Sequence, residues 1–324
     1  MMKKHIFGVC SAFAFAAVML CAVAAAQNPS SEKTKEEKFG ELLAAAEKGD
    51  AKAQCDLGVL FYQDEEFYPQ AAYWLRKATD QKHASATAQW LLGVLYWGGQ
   101  GLAEDKHEAS RWFRKSATKG HAVAYMNLAH MYAKGIIVAK DEREVRRLYI
   151  KAADLGHAES QFQVGLSYFH GKGFAKDEAE ALRWLRKAAE QGHAGAQFAL
   201  GFLFYGKGTV VERDFRESVR WFRKAAEQNH AKAQTLLGIA YFSGDGVITD
   251  KREAYIWYSL AKANGDVDGD DNAAEYLRAN NWREYLSKSE ILSAEKEAAK
   301  RMEEFDINET LYKGLQAAKS LSCK

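Results

Sequence analysis

A block of about 36 residues recurs through the chain, and this repeat constrains the fold more than any other feature. Histidine marks the end of the block at five places: His83, His121, His157, His193 and His230. Periods of this length are typical of stacked helical repeats, in which each unit packs mainly on its neighbours. A stacked array presents a surface, so the repeat predicts binding in preference to catalysis.

Each block begins with the pattern of an amphipathic helix. A small residue recurs in one column, which consists of Gly58, Gly93, Ala129, Gly165, Gly201 and Gly238. Alanine stands seven residues before this column and Phe or Tyr three residues after it. Apolar residues at such steps form one helical face, and the small residue allows a neighbouring helix to approach closely.

A second helix is predicted after a glycine-containing turn. In five blocks an aspartate precedes this helix: Asp105, Asp141, Asp177, Asp214 and Asp250. A glutamate follows three residues after each of them. We interpret Asp as the N-cap and Glu as reaching back to it, because repetition from block to block favours capping over a catalytic or metal-binding carboxylate pair. One column of this helix is predicted to be core: Trp74, Trp112, Leu148, Trp184, Trp221 and Trp257.

Residues 158–192 carry the whole pattern, including Ala158, Gly165, Tyr168, Asp177 and Trp184. It resembles the Sel-one-like repeat (SLR) family of the tetratricopeptide-repeat superfamily over roughly residues 50–265. The resemblance implies an all-α fold, an α/α right-handed superhelical solenoid of about six helix-pair repeats. It also implies a protein-binding scaffold. Helical patterns on either side of the array predict N- and C-terminal capping helices.

The first residues have the layout of a secretory signal peptide. Lys3 and Lys4 precede an uncharged apolar run that ends at Ala24-Ala25-Ala26. A retained membrane anchor is the alternative, since the run is just long enough to span a bilayer. We predict a signal peptide at 1–26, a disordered linker at 27–35, an N-terminal capping helix at 36–50, repeats at 51–265 and a C-terminal helical cap or tail at 266–324. The protein is then periplasmic or secreted.

Charge and cysteine content limit the partners and the covalent links. Cleavage removes Lys3 and Lys4 from 45 basic residues, which leaves 43 against 43 acidic residues. No basic excess remains for nucleic acid or anionic lipid, and the cleaved chain is not expected to insert into a membrane. Cys55 and Cys323 remain near opposite ends of the array. Since the ends of a linear array lie far apart, we expect no disulfide between them.

The first helices carry a second apolar stripe, which is the predicted partner-binding site. Its residues are Trp90, Val94, Trp97, Phe162, Leu166, Phe169, Phe198, Phe202, Tyr205, Ile239 and Phe242. In the related tetratricopeptide fold these positions face the concave surface, so they predict an aromatic groove for an apolar peptide or helix. Two alternatives are that adjacent repeats bury these side chains, or that the chain's own C-terminal helix fills the groove.

The sequence predicts no catalytic, cofactor or metal site. Ser116-Ala117-Thr118-Lys119 matches an S-x-x-K motif, but neither of its partner motifs is present. The boundary histidines stand one repeat apart, about 10 Å, which is too far to share one ion. We predict an exported, non-catalytic scaffold that binds a protein. The alternatives are a cell-wall-related enzyme or glycan-binding module, and a secreted factor that binds a host protein.

Overall fold

The computed structural model describes residues 35–82, 84–136, 139–206, 212–265, 273–320 and 323. The predicted signal peptide, and all of the predicted linker except Lys35, lie outside the described residues. The chain forms two compact units. The first comprises Met1–Lys119 with Leu321–Lys324, and the second comprises Gly120–Ser320.

The first unit contains five described α-helices. They are α1 (Lys35–Glu47), α2 (Ala51–Tyr62), α3 (Tyr68–Thr79), α4 (Ala86–Gly98) and α5 (Lys106–Thr118). Helix α2 packs against α3 and α4 against α5, as the repeat predicts. A short 3-10 helix, Glu65–Phe67, replaces the glycine turn in the first repeat.

The second unit continues the same helix pairs. Its helices are α6 (Ala122–Lys134), α7 (Glu142–Asp154), α8 (Ala158–His170), α9 (Glu178–Glu190), α10 (Ala194–Tyr205), α11 (Phe215–Ala226), α12 (Ala231–Ser243), α13 (Lys251–Ala263), α14 (Ala273–Ala279) and α15 (Lys288–Ser320). Each first helix packs on its second helix, and each second helix packs on the next first helix. The described residues contain no β-strand, so the predicted all-α helix-pair fold is confirmed.

The predicted aspartate caps are present, although the glutamates act differently. Asp177 accepts hydrogen bonds from the backbone N–H groups of Ala179 and Glu180, both at 3.0 Å. The backbone N–H of Asp177 already donates to the Tyr168 carbonyl at 3.0 Å. Glu180 therefore has no donor to reach back to and pairs with Arg183 at 2.7 Å. In this repeat, that half of the capping prediction is wrong.

Three boundary histidines cap the first helices. The Nδ1 atoms of His157, His193 and His230 accept hydrogen bonds from the backbone N–H groups of Ser160, Ala196 and Ala233. This arrangement satisfies one of the free N–H groups at each helix start, the role that Ser, Asp and Asn usually have. The described part of the chain contains no cluster of three or more His, Cys, Asp or Glu that could hold a metal ion.

The tryptophan column lies in the core and is covered by cations. Trp74, Trp112, Trp184, Trp221 and Trp257 are all at most 8% exposed, which confirms the core prediction. A lysine three residues later lies over the ring in each of four repeats, at 4.0 to 5.2 Å from the ring centroid. These contacts let the long side chains shield the indole faces while their ammonium groups stay in water.

The two cysteines of the repeat region and the tail are bonded to each other. Cys55 of α2 and Cys323 form a disulfide with Cα atoms 6.2 Å apart. Both residues belong to the first unit and lie in an apolar cluster with Leu75, Leu91 and Trp112. The expectation of no bridge is therefore wrong. A linear array keeps its ends apart, but here Cys323 packs in the apolar cluster of the first repeat.

The C-terminal cap predicted for 266–324 contains one long helix. Helix α15 runs unbroken from Lys288 to Ser320. No proline interrupts this stretch, and its one glycine, Gly314, lowers the helix propensity without forcing a break. Arg301 anchors α15 to α13 through two hydrogen bonds to Glu253, at 2.6 and 3.1 Å. No helix in the described ranges combines the length and hydropathy needed to cross a bilayer.

Candidate functional site

Five residues of the predicted stripe line one apolar cavity between α8 and α10. The cavity has a volume of about 320 Å³. The five residues are Phe162, Leu166, Phe169, Phe198 and Phe202. We call this cavity the α8–α10 groove. It lies entirely within the second unit, between the first helices of two consecutive repeats.

The helical spacing of the sequence places these side chains. Phe162, Leu166 and Phe169 lie at i, i+4 and i+7, so they follow one another along one side of α8. Phe198 and Phe202 lie one turn apart on α10, with ring centroids 6.4 Å apart. The two helices therefore present facing apolar rows.

A glycine makes room at one end of the groove. A Cβ atom at Gly195 would lie only 3.1 Å from Cζ of Phe162, so a larger residue would push against the ring. Gly195 was not among the predicted site residues, but the sequence carries a signal for it. The other five repeats have Lys52, Thr87, Val123, Glu159 and Lys232 at the corresponding position.

The capping histidines also hold the groove aromatics in place. The His193 ring packs on Phe162 with centroids 4.6 Å apart, and the His230 ring stacks on Phe198 at 4.5 Å. His193 Nε2 lies 2.8 Å from Oε2 of Glu159 on α8. This hydrogen bond from His193 lowers the pKa of Glu159 to about 2, against the opposing effect of burial. One contact thus joins the cap of α10 to the first turn of α8.

The mouth of the groove exposes one large aromatic side chain. Phe202 is 51% exposed, although it is a phenylalanine on a helix that is otherwise largely packed. His170 lies among the lining residues, and the Lys176 ammonium is 6.0 Å from the Phe169 ring centroid. The interior is almost wholly apolar. It can therefore exclude water from an apolar side chain, but it offers no set of polar groups for catalysis.

In the last repeat, the chain itself covers the predicted stripe. Phe242 packs edge-on against Trp282 and Tyr285, with centroid distances of 5.7 and 5.5 Å. The Lys251 ammonium lies over its other side, 3.4 Å from the ring centroid. Ile239 packs in the same cluster. The alternative of a C-terminal cover therefore applies to this repeat, although the cover is the segment around Trp282 and not the long helix.

The other stripe residues do not belong to the lining of the groove. Tyr205 packs edge-on against Phe215 at 5.4 Å and does not line the cavity. Trp90, Val94 and Trp97 belong to the first unit, where all three are partly buried. Within the second unit, five of the predicted residues therefore share the groove, and Tyr205, Ile239 and Phe242 do not line it.

The residues of the S-x-x-K match have structural roles. Ser116 is fully buried, and its hydroxyl donates to the Ala86 carbonyl at 2.6 Å. The Lys119 ammonium donates to the Ala84 carbonyl. Both groups therefore hold α5 to the start of α4 in place of forming a nucleophile and base.

Comparison with known proteins identifies the repeat. A family model described as the Sel1 repeat matches residues 51–83, 86–121, 122–157, 158–193, 194–230 and 231–266. The chain is similar to a Sel1 repeat protein from Oxalobacter formigenes, with 28% identity and a TM-score of 0.59; the match covers 70% of this chain and 98% of that one.

A second solved structure is a protective antigen present in uropathogenic Escherichia coli strains and displaying an SLR fold. Its identity to the chain is 25% and the TM-score is 0.54, over 86% of this chain and 66% of that one. No protein with a curated description matches the chain.

Proposed function

Because the chain belongs to the Sel1 repeat family, whose members generally mediate protein–protein interaction, we propose that it is a scaffold that binds a partner protein through the α8–α10 groove. The occupant is an apolar segment of the partner, which inserts one or two aliphatic or aromatic side chains between the phenylalanines. The observation that carries this proposal is the exposure of Phe202 at the mouth of an otherwise apolar cavity.

The dimensions of the groove favour side chains over a whole small molecule. Its volume of about 320 Å³ lies at the lower end of the range for small-ligand pockets, about 300–1,000 Å³. Burial of one Leu or Phe side chain is worth about 1.5–3 kcal/mol, so two such anchors give an interaction of useful strength. The groove itself is already formed, which reduces the ordering cost on this side of the interface.

The family is typically a non-catalytic scaffold, and the buried residues support the same role here. The tryptophan column was the feature that made a glycan-binding module an alternative. All of its tryptophans are at most 8% exposed, so none of them offers a free face for a sugar ring. Ser116, the candidate nucleophile of a cell-wall enzyme, is fully buried.

We further propose that the protein acts outside the reducing cytosol, after removal of residues 1–26. Disulfides persist in the periplasm and in secreted proteins and are rare in the cytosol, and Cys55 is joined to Cys323. The signal-like first residues support the same location. Mass spectrometry of the protein from its native source tests the proposal. A chain that starts at Gln27 supports it, whereas an intact Met1 with Cys55 and Cys323 both as free thiols contradicts it.

The binding role is tested with a pair of matched substitutions. Phe202→Ala removes the exposed ring of the groove, whereas Leu292→Ala removes a side chain of similar exposure, 54% against 51%, from α15. Both residues are about half in solvent, so neither change is expected to affect folding much. The immobilised protein and both variants are exposed to the same native extract, and retained proteins are quantified.

We expect proteins retained by the parent to be retained by Leu292→Ala and lost from Phe202→Ala. A Phe202→Ala variant that retains the same proteins in the same amounts contradicts binding at the groove.

A further inference from the structure

A second cavity, of about 500 Å³, lies in the second unit beside α7 and α8 and is formed by residues that the groove does not use. Its lining includes Tyr132 of α6, Arg146 and Tyr149 of α7, and Phe174 of the turn after α8. We call it the Arg146 pocket. Its volume lies within the range of small-ligand sites.

The pocket arises where one repeat departs from the glycine column. In the other repeats, the residue that follows the tryptophan column packs directly on the glycine. For example, Phe222 follows Trp221, and a Cβ atom at Gly201 would lie 2.4 Å from its ring. The repeat at 122–157 has Ala129 in this column. Its methyl group excludes the same packing by Tyr149. Phe222 is therefore buried, whereas Tyr149 is only half buried and lines the pocket.

The turn on the other side of the pocket also departs from its equivalents. In the last repeat, a Cβ atom at Gly246 would lie 2.3 Å from the backbone oxygen of Phe215, so the turn packs on the backbone of the preceding repeat. At the equivalent position, Gly173 meets the side chain of Arg146, with a Cβ to Cδ distance of 2.6 Å. A flexible side chain thus occupies space that backbone fills elsewhere.

The guanidinium group of Arg146 is available to a ligand. Arg146 is half buried, and its guanidinium lies 6.0 Å from the Phe174 ring centroid. Within the described ranges it has no carboxylate partner and no hydrogen-bond acceptor. A guanidinium that is partly withdrawn from water and not paired is a strong donor for an incoming anion.

The remaining charges of the lining leave it with a small positive excess. Lys140 and Lys172 join Arg146, and they are opposed by Asp141 and Glu142. Asp141 is already engaged, because its carboxylate accepts hydrogen bonds from two backbone N–H groups at the start of α7. The charges of Glu142 and Asp141 oppose an anion, but the three cations of the lining outnumber them.

We propose that the Arg146 pocket binds a carboxylate attached to an apolar or aromatic group. The planar fork of Arg146 matches the two carboxylate oxygens, and the rings of Tyr132, Tyr149 and Phe174 pack on the apolar part. Burial raises the pKa of Tyr149, so its hydroxyl remains protonated and can donate a further hydrogen bond. The carboxylate can belong to a small acid or to the C-terminal residue of a peptide.

Fluorine NMR titrations of the folded protein test this proposal. The probes are N-acetyl-para-fluorophenylalanine and its amide, which differ only in the charge of the carboxyl group. We expect a Kd on the order of 1 mM for the acid and binding at least about tenfold weaker for the amide. Equal binding of the two probes, or no binding of the acid at about ten times that concentration, overturns the proposal without any substitution.

Two matched variants locate the contact. Arg146→Gln is expected to weaken binding of the acid about tenfold or more, whereas Arg143→Gln, an exposed site on the same helix outside the lining, changes it less than about twofold. Equal effects of the two variants overturn the assignment to Arg146.

A third probe, para-fluorophenylalanine at the C-terminus of an acetylated tripeptide, separates the two sources of the carboxylate, a small acid and a peptide C-terminus. Tighter binding of the tripeptide supports a peptide C-terminus, and equal binding supports a small acid.

Discussion

Removal of the disulfide is expected to cost the protein more stability than any single side-chain contact. The perturbation is the double substitution Cys55→Ala and Cys323→Ala, which leaves no free thiol in the repeat region. The bond joins residues 268 positions apart, so it closes almost the whole described chain into one loop. In the chain-entropy description, a loop of this length restricts the unfolded state by about 5 kcal/mol.

Packing adds to this loss. Cys55 is fully buried and Cys323 is 6% exposed, so alanine at both sites leaves small cavities in the apolar cluster of the first unit. Together the effects predict a fall in Tm of roughly 10–15 °C for a chain of this size. Because repeat arrays can unfold in parts, the first unit is expected to unfold earliest.

Thermal and urea unfolding followed by circular dichroism measure the effect. The oxidised parent is compared with the double variant, each with and without reductant. We expect reductant to lower the Tm of the parent to that of the variant and to leave the variant unchanged. Identical curves for the oxidised parent and the double variant would refute the reasoning, because they would mean that the bond does not restrict the unfolded chain.

Two further predictions concern single side chains. Gly201→Ala is expected to destabilise the protein by about 2–3 kcal/mol, because the new methyl would lie 2.4 Å from Phe222. Gly40→Ala is the matched control, because a Cβ atom at Gly40 would have no atom within 4 Å, and it should stabilise α1 by about 0.5–1 kcal/mol. Urea unfolding in which Gly201→Ala is the more stable variant contradicts this account. The pKa of Glu159 is about 2 in the folded protein against an ordinary value of 4.5, so its contact with His193 stabilises the fold above pH 4.5 and is lost as the pH falls towards 2. Because solvent screens the charges at this partly exposed site, Glu159→Gln should lower the free energy of unfolding by only about 0.5–1 kcal/mol at neutral pH, and by progressively less in acid. A loss of stability that is constant with pH would count against the contact.

The periodic part of the fold was predictable because every repeat places the same residue in the same environment. Asp177 at a helix start and Trp184 in the core have equivalents in most repeats, so their roles follow from the pattern. The reciprocal role of Glu180 was not predictable in this way. It depends on whether the Asp177 N–H is already bonded, and that bond to Tyr168 forms only when the turn is closed.

The non-periodic part of the structure was beyond the pattern. The repeat pattern places Cys55 and Cys323 near opposite ends of a linear array, and no repeat unit describes where Cys323 packs. The cover over Phe242 has the same origin, because Trp282 lies after the final repeat. Among the lining residues of the groove that were not predicted, Gly195 carried a detectable signal, as the single glycine at its position among six repeats.

Site-specific photo-cross-linking from the groove tests the central proposal most directly. A photoreactive phenylalanine analogue at position 202 points from the mouth of the groove, and the same analogue at position 292 is the control of similar exposure. The account predicts a discrete, protease-sensitive adduct from position 202 in native extract and none of the same mass from position 292. Adducts of the same mass and yield from both positions, or none from either, would contradict a protein partner at the α8–α10 groove.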